Sequence, residues 1–359
     1  MTAKRRPRKR VPVKKPRRAR GPGLGLLVLL LAIAAAGWAF WTYSGPGPAA
    51  KAGATDVVLT KGSGVAGIAD QLSKAGVIRS KPLFMLAAKL GGRSLKAGEY
   101  EFPSGASMSR ILADLRAGRV VRHLITVPEG WTSEMAAEAV TRSPVLTGVV
   151  APPPEGALLP ETYEVRRGEE RAAVLQRMAD AQAKLLAELW PARQPGLPFA
   201  TPEQAVALAS IVEKETALPD ERPRIAAVYI NRLRTGMRLE SDPTTIYGIS
   251  QGRPLGRGIT RAELAAKTPY NTYQMAGLPP TPIANPGKAA IAAVLNPPKT
   301  DELFFVANGL GGHAFASTFA EHQKNVAHWR EIERQRQAAQ AGAAAVSRVQ
   351  GAGAQGRAG

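Results

Sequence analysis

TPEQAVALASIVEKET, residues 201–216, is the clearest helix pattern in the chain. Thr201 suits the N-cap, Pro202 suits the first turn, and Gln204 stands three residues after the cap. Apolar residues then recur at helical spacing. We therefore predict a helix that begins at this cap and ends near Ala217.

Two glutamates stand near the C-terminal end of this helix, and helical geometry separates them. At about 100° per residue, Glu215 continues the apolar stripe that includes Ile211, whereas Glu213 points to the side. Apolar surroundings disfavour a charged carboxylate, which raises its pKa and lets it act as a general acid near neutral pH. Glu215 therefore suits acid catalysis, with Glu213 as the alternate. The competing interpretation is an ordinary ion pair of Glu215 with Arg222 or Arg224.

The segments around this helix predict a helix-rich domain with a small sheet. Residues 169–190 and 222–235 have helical periodicity, and Gly236 follows the second pattern as a C-terminal stop. Residues 237–298 are rich in Gly, Pro, Thr, Tyr and Asn, and we interpret them as binding loops. Residues 302–308, ELFFVAN, predict a strand.

Charge is concentrated at the N-terminus. The formal net charge is +20, but eleven of the 48 Lys and Arg fall between Lys4 and Arg20, which leaves +9 for the rest. A nucleic-acid-binding protein should have its basic face within a folded module. We therefore expect no nucleic-acid partner.

An uncharged stretch of 20 residues, LGLLVLLLAIAAAGWAFWTY at 24–43, is long enough to cross a membrane as a helix. Trp38, Trp41 and Tyr43 cluster at its far end, as amphipathic rings do at the membrane interface. The basic run before it marks the cytoplasmic side. We predict an uncleaved anchor in the inner (cytoplasmic) membrane, with everything after Tyr43 outside the cytoplasm. A cleaved signal peptide is the alternative, but this apolar core is too long for one.

Three segments after the span repeat one pattern. Residues 57–72, 98–115 and 124–139 each join a short strand pattern to a glycine turn and an amphipathic helix pattern. Such units resemble LysM-like modules, which bind N-acetylated sugar chains. The alternative is that strand-turn-helix units are ordinary parts of an α+β domain.

The sequence lacks the motifs of several kinds of catalytic site. The chain has no cysteine, no Gly-x-Ser-x-Gly elbow, no Ser-x-x-Lys and no Lys-Thr-Gly. Its histidines form no His-Glu-x-x-His pattern; they are His123, His313, His322 and His328. We expect neither a metal nor a cofactor, so carboxylates are left to carry the chemistry.

The chain resembles the MltG (YceG-like) family of endolytic murein transglycosylases across residues 57–330. The motifs that carry this resemblance are ASIVEKET at 209–216, VYINRLRTGMRLESDPT at 228–244, YNTY at 270–273, GLPPTPIANPG at 277–287, LNPPKT at 295–300 and FFVANGLGGH at 304–313. The membrane anchor and the LysM-like units also belong to the family's plan.

The resemblance implies a lyase that cuts the β-1,4 bond between N-acetylmuramic acid and N-acetylglucosamine in nascent peptidoglycan. No water is consumed, and a 1,6-anhydromuramic end remains. The family's catalytic glutamate falls in the segment 213–215, which we assign to Glu215 with Glu213 as the alternate. We expect one carboxyl to act twice, first as the acid for the glycosidic oxygen and then as the base for the C6 hydroxyl.

Polar and aromatic residues after the helix are candidates for a sugar cleft, because amides and hydroxyls bond to sugar hydroxyls and rings stack on pyranose faces. The oxocarbenium-like charge would be steadied either by the substrate's own N-acetyl group or by a polar loop group such as Asn271. A structural role is the alternative for each of the six candidates, which are Asp242, Thr244, Tyr247, Asn271, Tyr273 and His313.

The expected fold class is α+β with one transmembrane helix, a LysM-like strand and helix module, and a mixed, helix-rich catalytic domain. The expected boundaries are 1–23 for a basic cytoplasmic tail, 24–43 for the transmembrane helix, 44–54 for a linker, 55–150 for the LysM-like region, 151–336 for the catalytic domain and 337–359 for a disordered tail.

Two other functions compete with this one. The chain could be a non-catalytic glycan-binding scaffold for cell-wall synthases, or a hydrolytic muramidase that uses water in place of the sugar's own O6. Peptidoglycan strands are the expected substrate or ligand in every case. Peptidoglycan synthases are expected partners through the resemblance alone.

Overall fold

The structure is a computed structural model that describes residues 22–48, 53–92 and 94–355, with side chains described from residue 25 to residue 340. The expected basic tail, residues 1–23, lies almost wholly outside the described residues. The chain divides into two compact units, Met1–Val121 and Arg122–Gly359.

The first unit begins with helix α1, Pro22–Ser44. Its segment Gly25–Ser44 is long and apolar enough to cross a membrane. Its large side chains, among them Trp38 and Phe40, are exposed along the helix. This is the apolar helix that the sequence predicted, and it is compatible with a single-pass anchor.

The end of α1 is held against the rest of the first unit. The guanidinium of Arg79 lies 4.9 Å from the centroid of the Trp41 ring, and its Nη2 donates to the carbonyl of Gly47 at 3.2 Å. The amide of Gly47 in turn donates to the carbonyl of Gly105 at 2.9 Å. We expected residues 44–54 to form a linker, but their first part packs on the unit; residues 49–52 lie outside the described residues.

A two-stranded antiparallel sheet and three helices complete the first unit. The elements are β1 Ala54–Leu59, α2 Val65–Lys74, α3 Lys81–Leu90, β2 Gly98–Pro103 and α4 Met108–Ala117. Strand β1 pairs with β2, with Val57 opposite Tyr100. Both residues are buried in a core that Leu72, Phe84 and Ile111 share. The sequence predicted all these elements except α3, which begins after Ser80, whose side chain caps it.

The second unit contains the remaining elements. In chain order they are β3 His123–Thr126, α5 Ser133–Arg142, β4 Thr162–Val165, α6 Arg171–Leu189, α7 Pro202–Glu215, α8 Arg222–Arg234, α9 Asp242–Ser250, α10 Arg261–Ala265, α11 Lys288–Leu295, β5 Phe304–Ala307, β6 His313–Ala316 and α12 Phe319–Gln355.

The boundary between the units differs from the one expected at residue 150. Strand β3 pairs antiparallel with β4, with His123 opposite Val165. The third strand-turn-helix segment therefore belongs to the second unit, although its pattern matches the two before it. The prolines at 152–154 indicated a boundary, but they lie within a connection between two paired strands. A strand joins the unit that contains its partner, because its backbone groups need the ladder bonds.

The core of the second unit forms around α7, α8 and α11. Helix α7 buries every residue from Ala205 to Val212, and it packs with Tyr229 of α8 and Ile291 of α11. The sequence predicted α7 and α8 but assigned residues 237–298 to loops, where the structure has α9, α10 and α11. Helix α11 is apolar on every side, so it has no periodic pattern to detect.

Helix α12 extends to Gln355, whereas we expected disorder from residue 337. The segment is rich in Ala and Gln, which favour helix extension. The expected α+β fold class, with small sheets among many helices, is confirmed. The likeness to LysM modules remains a prediction.

Candidate active site

Glu215 is the last residue of α7, and two hydroxyl groups hold its side chain. Tyr229 of α8 donates its hydroxyl to Glu215 Oε1 at 2.6 Å. Ser241, which immediately precedes α9, donates its Oγ to the same atom at 2.5 Å. Helices α7 and α8 pack together in the core, and this contact brings the tyrosine beneath the carboxyl group.

The second carboxyl oxygen of Glu215 has a different environment. Within the part of the chain that the structure describes, Oε2 has no hydrogen-bond partner, and the residue keeps some exposure to solvent. Because Oε1 already accepts two hydrogen bonds, a proton on the carboxyl group belongs on Oε2. The oxygen that would carry the proton is thus the one without a donor among the described residues.

The environment of Glu215 favours its protonated form. Burial raises the pKa of its carboxyl group, and the hydrogen bonds from Ser241 and Tyr229 only partly offset this effect. The nearby carboxylate of Asp242 raises the pKa further, and His313 lowers it when its ring carries a positive charge. A carboxyl with a raised pKa, at the end of a rigid helix, can serve as a general acid.

Asp242 and Tyr273 lie beside this carboxyl group. The hydroxyl of Tyr273 donates to Asp242 Oδ1 at 2.8 Å. Burial, this hydrogen bond and the charges of Asp242 and Glu215 all raise the pKa of the tyrosine. Tyr273 is therefore a neutral hydroxyl next to the glutamate, and Asp242 supplies a negative charge at the start of α9.

His313, at the first position of β6, is also near enough to influence the pKa of Glu215. Its Nδ1 lies 2.7 Å from Glu221 Oε2, and its backbone N–H donates to Glu221 Oε1 at 2.7 Å. Glu221 Oε2 also accepts the hydroxyl of Thr216 at 3.2 Å, and Thr216 directly follows Glu215 in the chain. One carboxylate thus joins the end of α7 to the histidine.

Glu213, the alternate catalytic residue, has a structural environment. Its Oε1 accepts from Arg222 Nη2 at 3.1 Å, and its Oε2 accepts the amide of Gly287 at 2.9 Å. Only 4% of its side chain is exposed, and 13% of that of Arg222. Both oxygens are occupied, so this glutamate ties α7 to α8 and to the start of α11.

Three of the predicted cleft residues are buried and support the fold instead; they are Thr244, Tyr247 and Asn271. Thr244 bonds to the carbonyl of Ser241 and to the hydroxyl of Thr272. Tyr247 donates to Glu155 at 3.3 Å. Each of the three has its polar atoms bonded within the protein, which leaves them unavailable to a ligand.

Asn271 is the third of these residues, and it was also the candidate to steady an oxocarbenium-like charge. It is fully buried. Its side-chain nitrogen donates to the carbonyls of Glu263, Leu264 and Ala266. Its side-chain oxygen accepts the backbone N–H of Tyr273 at 3.1 Å. The amide fixes the loop that carries Tyr273 and has no group left for a sugar.

The site also contains residues that sequence reasoning missed, namely Tyr229, Ser241 and Glu221. Tyr229 belongs to a helix pattern and was assigned to it without a separate role. Ser241 stands before an Asp-Pro pair and was assigned no role of its own. No local pattern indicates that either hydroxyl reaches Glu215, because residue 229 is 14 positions away and residue 241 is 26 positions away.

Known proteins resemble this chain over most of its length. A family model described as the YceG-like family matches residues 57–328. A Bacillus subtilis (strain 168) protein named endolytic murein transglycosylase is 28% identical over 302 residues, which cover 75% of this chain and 83% of that protein. A Streptococcus pneumoniae (serotype 2, strain D39) protein of the same name is 30% identical over 322 residues, or 76% of this chain and 57% of that protein.

One solved structure is also similar. It is a crystal structure of a YceG-like protein from Listeria monocytogenes, with 28% sequence identity and a TM-score of 0.47. The match covers 76% of this chain and 98% of that one.

Proposed function

The chain belongs to the YceG-like family, and from this premise we propose that it is an endolytic murein transglycosylase whose general acid is Glu215. Its substrate would be nascent peptidoglycan, cut at the β-1,4 bond between N-acetylmuramic acid and N-acetylglucosamine. The observation that carries the proposal is the carboxyl group of Glu215, held through Oε1 by Tyr229 and Ser241 while Oε2 has no partner among the described residues.

The first chemical step is protonation of the leaving oxygen. Glu215 Oε2 donates its proton to the glycosidic oxygen as the bond to C1 of the muramyl residue breaks. A raised pKa supports this step, because the group must still carry its proton at the working pH. The two donors to Oε1 stabilise the carboxylate that forms, since hydrogen bonds to a charged oxygen are stronger than those to a neutral one.

The second step closes the ring. The C6 hydroxyl of the muramyl residue attacks C1, and the product is a 1,6-anhydromuramic end without addition of water. The proton of this hydroxyl must pass to a base. The Glu215 carboxylate is the base that the sequence analysis expected, and the His313–Glu221 pair in the same site is another.

The remaining residues would bind the glycan. Tyr273 and Asp242 offer a hydroxyl and a carboxylate beside Glu215, and these groups suit the hydroxyls of a sugar. The first unit would hold a glycan strand as a LysM-like module, and α1 would anchor the chain in the cytoplasmic membrane with both units outside. Peptidoglycan synthases are proposed partners, because nascent strands are produced at that membrane surface.

A glycan-binding scaffold would need no acid, and a hydrolytic muramidase would activate water. The contacts of Glu215 favour the enzyme over the scaffold, because burying a carboxyl group beside Asp242 costs stability without contributing to a binding surface. A muramidase differs from the proposed enzyme only in its product.

Product analysis tests the proposal. Purified glycan strands are digested with the full chain, and the new ends are identified by mass. Internal cuts that leave muramic ends one water lighter than hydrolysed ends support a lytic transglycosylase. Reducible muramic ends would make the protein a hydrolase, and intact strands at every enzyme concentration would favour the scaffold.

A further inference from the structure

His313 and Glu221 form a fixed pair that the acid role of Glu215 does not require. Glu221 accepts both the ring Nδ1 and the backbone N–H of His313, each at 2.7 Å. Two contacts to one carboxylate fix the position and the rotation of the imidazole. Phe305 touches the ring edge-on, with the centroids 5.2 Å apart, and limits its movement further.

The tautomer of the histidine follows from the charge of its partner. Burial tends to raise the pKa of Glu221, but the hydrogen bonds from the side chain and the backbone of His313 and from Thr216 oppose it, and the pKa of this carboxyl group is lowered. An ionised carboxylate only accepts hydrogen bonds, so Nδ1 must carry the hydrogen. In a neutral ring, Nε2 then has a free lone pair, and no described residue donates to it.

The imidazole belongs to the same site as Glu215. Phe305 contacts His313 on one side and Tyr229 on the other, with the Tyr229 centroid at 5.7 Å. Tyr229 is the residue that donates to Glu215. On the opposite side, Thr216 joins Glu221 to the end of α7. The His313 side chain keeps 18% of its surface exposed, and it is close enough to Glu215 to influence the pKa of that carboxyl group.

We propose that His313, oriented by Glu221, is the base that accepts the proton of the muramyl C6 hydroxyl, while Glu215 is the acid for the leaving oxygen. This inference rests on the proposed function and assigns its second proton transfer to a separate residue. Glu221 touches no substrate and is a positioning residue.

The transfer balances without any further reactant. The O6–H bond breaks as its proton passes to Nε2, and the O6 electron pair forms the bond to C1. The bond from C1 to the glycosidic oxygen breaks with its electron pair on that oxygen, which takes the proton from Glu215 Oε2. An imidazolium and a carboxylate remain, and loss of the proton from Nε2 to solvent and uptake of a proton by Oε2 restore both groups.

The test measures glycan cleavage by the purified full chain with His313→Gln, which can still form hydrogen bonds but cannot take a proton. We expect kcat to fall about 10²- to 10⁴-fold, as for other general bases, with affinity for glycan strands unchanged. Added imidazole should restore part of the activity to His313→Ala but none to Glu215→Gln. Glu221→Gln should reduce kcat by a smaller factor, because its side-chain oxygen still accepts one hydrogen bond.

His328→Gln is the matched control, because this histidine is exposed on α12 and outside the site. If His313→Gln keeps more than a third of the wild-type kcat while Glu215→Gln is inactive, the inference is wrong and the proposed function stands, with Glu215 acting twice. Full activity in Glu215→Gln would refute the proposed function and this inference together. If His313→Gln lowers the unfolding midpoint, its loss of activity could come from unfolding, and Glu221→Gln is then the deciding variant. An unchanged kcat in Glu221→Gln would contradict the role of Glu221 in orienting His313 as the base.

Discussion

Arg222 donates to Glu213, with its Nη2 3.1 Å from Glu213 Oε1, while Glu215, two residues later, is held by two neutral hydroxyls. The ion pair that the sequence left open for Glu215 is therefore formed by its neighbour. Arg224, the other candidate partner, pairs with Glu302. The two glutamates lie in one helical turn but have different roles. Glu213 neutralises the buried guanidinium of Arg222, whereas the carboxyl group of Glu215 accepts hydrogen bonds only from neutral hydroxyls among the described residues.

This difference predicts opposite effects of two matched substitutions. Glu215→Gln should abolish cleavage and leave the free energy of unfolding at neutral pH unchanged or higher, because burial raises the pKa of the carboxyl that it replaces. Glu213→Gln should keep cleavage in the folded protein but lower the free energy of unfolding by up to about 3 kcal/mol, since it removes the buried carboxylate beside Arg222 and leaves this guanidinium only the more exposed Glu129, 3.4 Å away. Chemical denaturation and anhydromuramic product release measure both. Activity lost only in Glu213→Gln would move the acid two residues upstream.

The hydroxyls at Oε1 predict a shift in the pH profile. An acid works only while protonated, so activity should fall as the pH rises through the pKa of Glu215. Ser241→Ala and Tyr229→Phe each remove a donor that favours the carboxylate, a contact worth about 1.5 to 3 kcal/mol. Each should raise the pKa of Glu215 and move the falling limb of kcat to higher pH.

Tyr163→Phe is the control for this shift, because its hydroxyl donates to the carbonyl of Leu159 and not to Glu215. A falling limb that stays in place in both Ser241→Ala and Tyr229→Phe would mean that another group sets it.

The boundary at residue 121 predicts which fragment folds. Residues 54–121 contain both strands of their sheet and a complete core, so this fragment should unfold cooperatively and bind insoluble peptidoglycan. A fragment of residues 54–150 carries β3 without β4 and exposes Val140 of α5. Limited proteolysis should trim it back towards residue 121. Binding by residues 54–121 no stronger than that of an unrelated basic protein would contradict the LysM-like interpretation.

The absence of cysteine from the sequence allows a direct test of the topology. A membrane-impermeant maleimide should label Lys61→Cys in intact spheroplasts and label Lys9→Cys only after permeabilisation, because the basic run remains in the cytoplasm. Intact mass should show that the anchor is kept. A mature N-terminus beyond Tyr43, or the reverse labelling pattern, would show that the predicted anchor or its orientation is wrong.

Local signals in the sequence predict much of this fold and part of the site. The capping box of Thr201 and Gln204 is present as predicted, and the helix ends at Glu215, two residues before the expected end. The helical face that directed Glu215 towards apolar neighbours follows from the same periodicity. These features depend on residues within a few turns of each other, which a single sequence displays.

Features that depend on distant residues could not be predicted in this way. Asn271 has the chemistry of a ligand-binding amide, and only the folded loop shows that three carbonyls occupy its nitrogen. Strand β3 has the same pattern as β1, and its pairing with β4 depends on residues 36 to 42 positions away. Tertiary pairing decides such assignments, because residue type alone does not specify the partner.

The contacts at the end of α1 connect this helix rigidly to the rest of the first unit. The guanidinium of Arg79 lies over the ring of Trp41. Gly47, only three residues beyond the helix end at Ser44, donates its N–H to the carbonyl of Gly105. A flexible linker would let the unit adopt many orientations relative to the helix. A connection this short instead makes the unit move with the helix. With α1 as the proposed membrane anchor, a change in bilayer thickness that tilts the helix would therefore rotate the first unit with it.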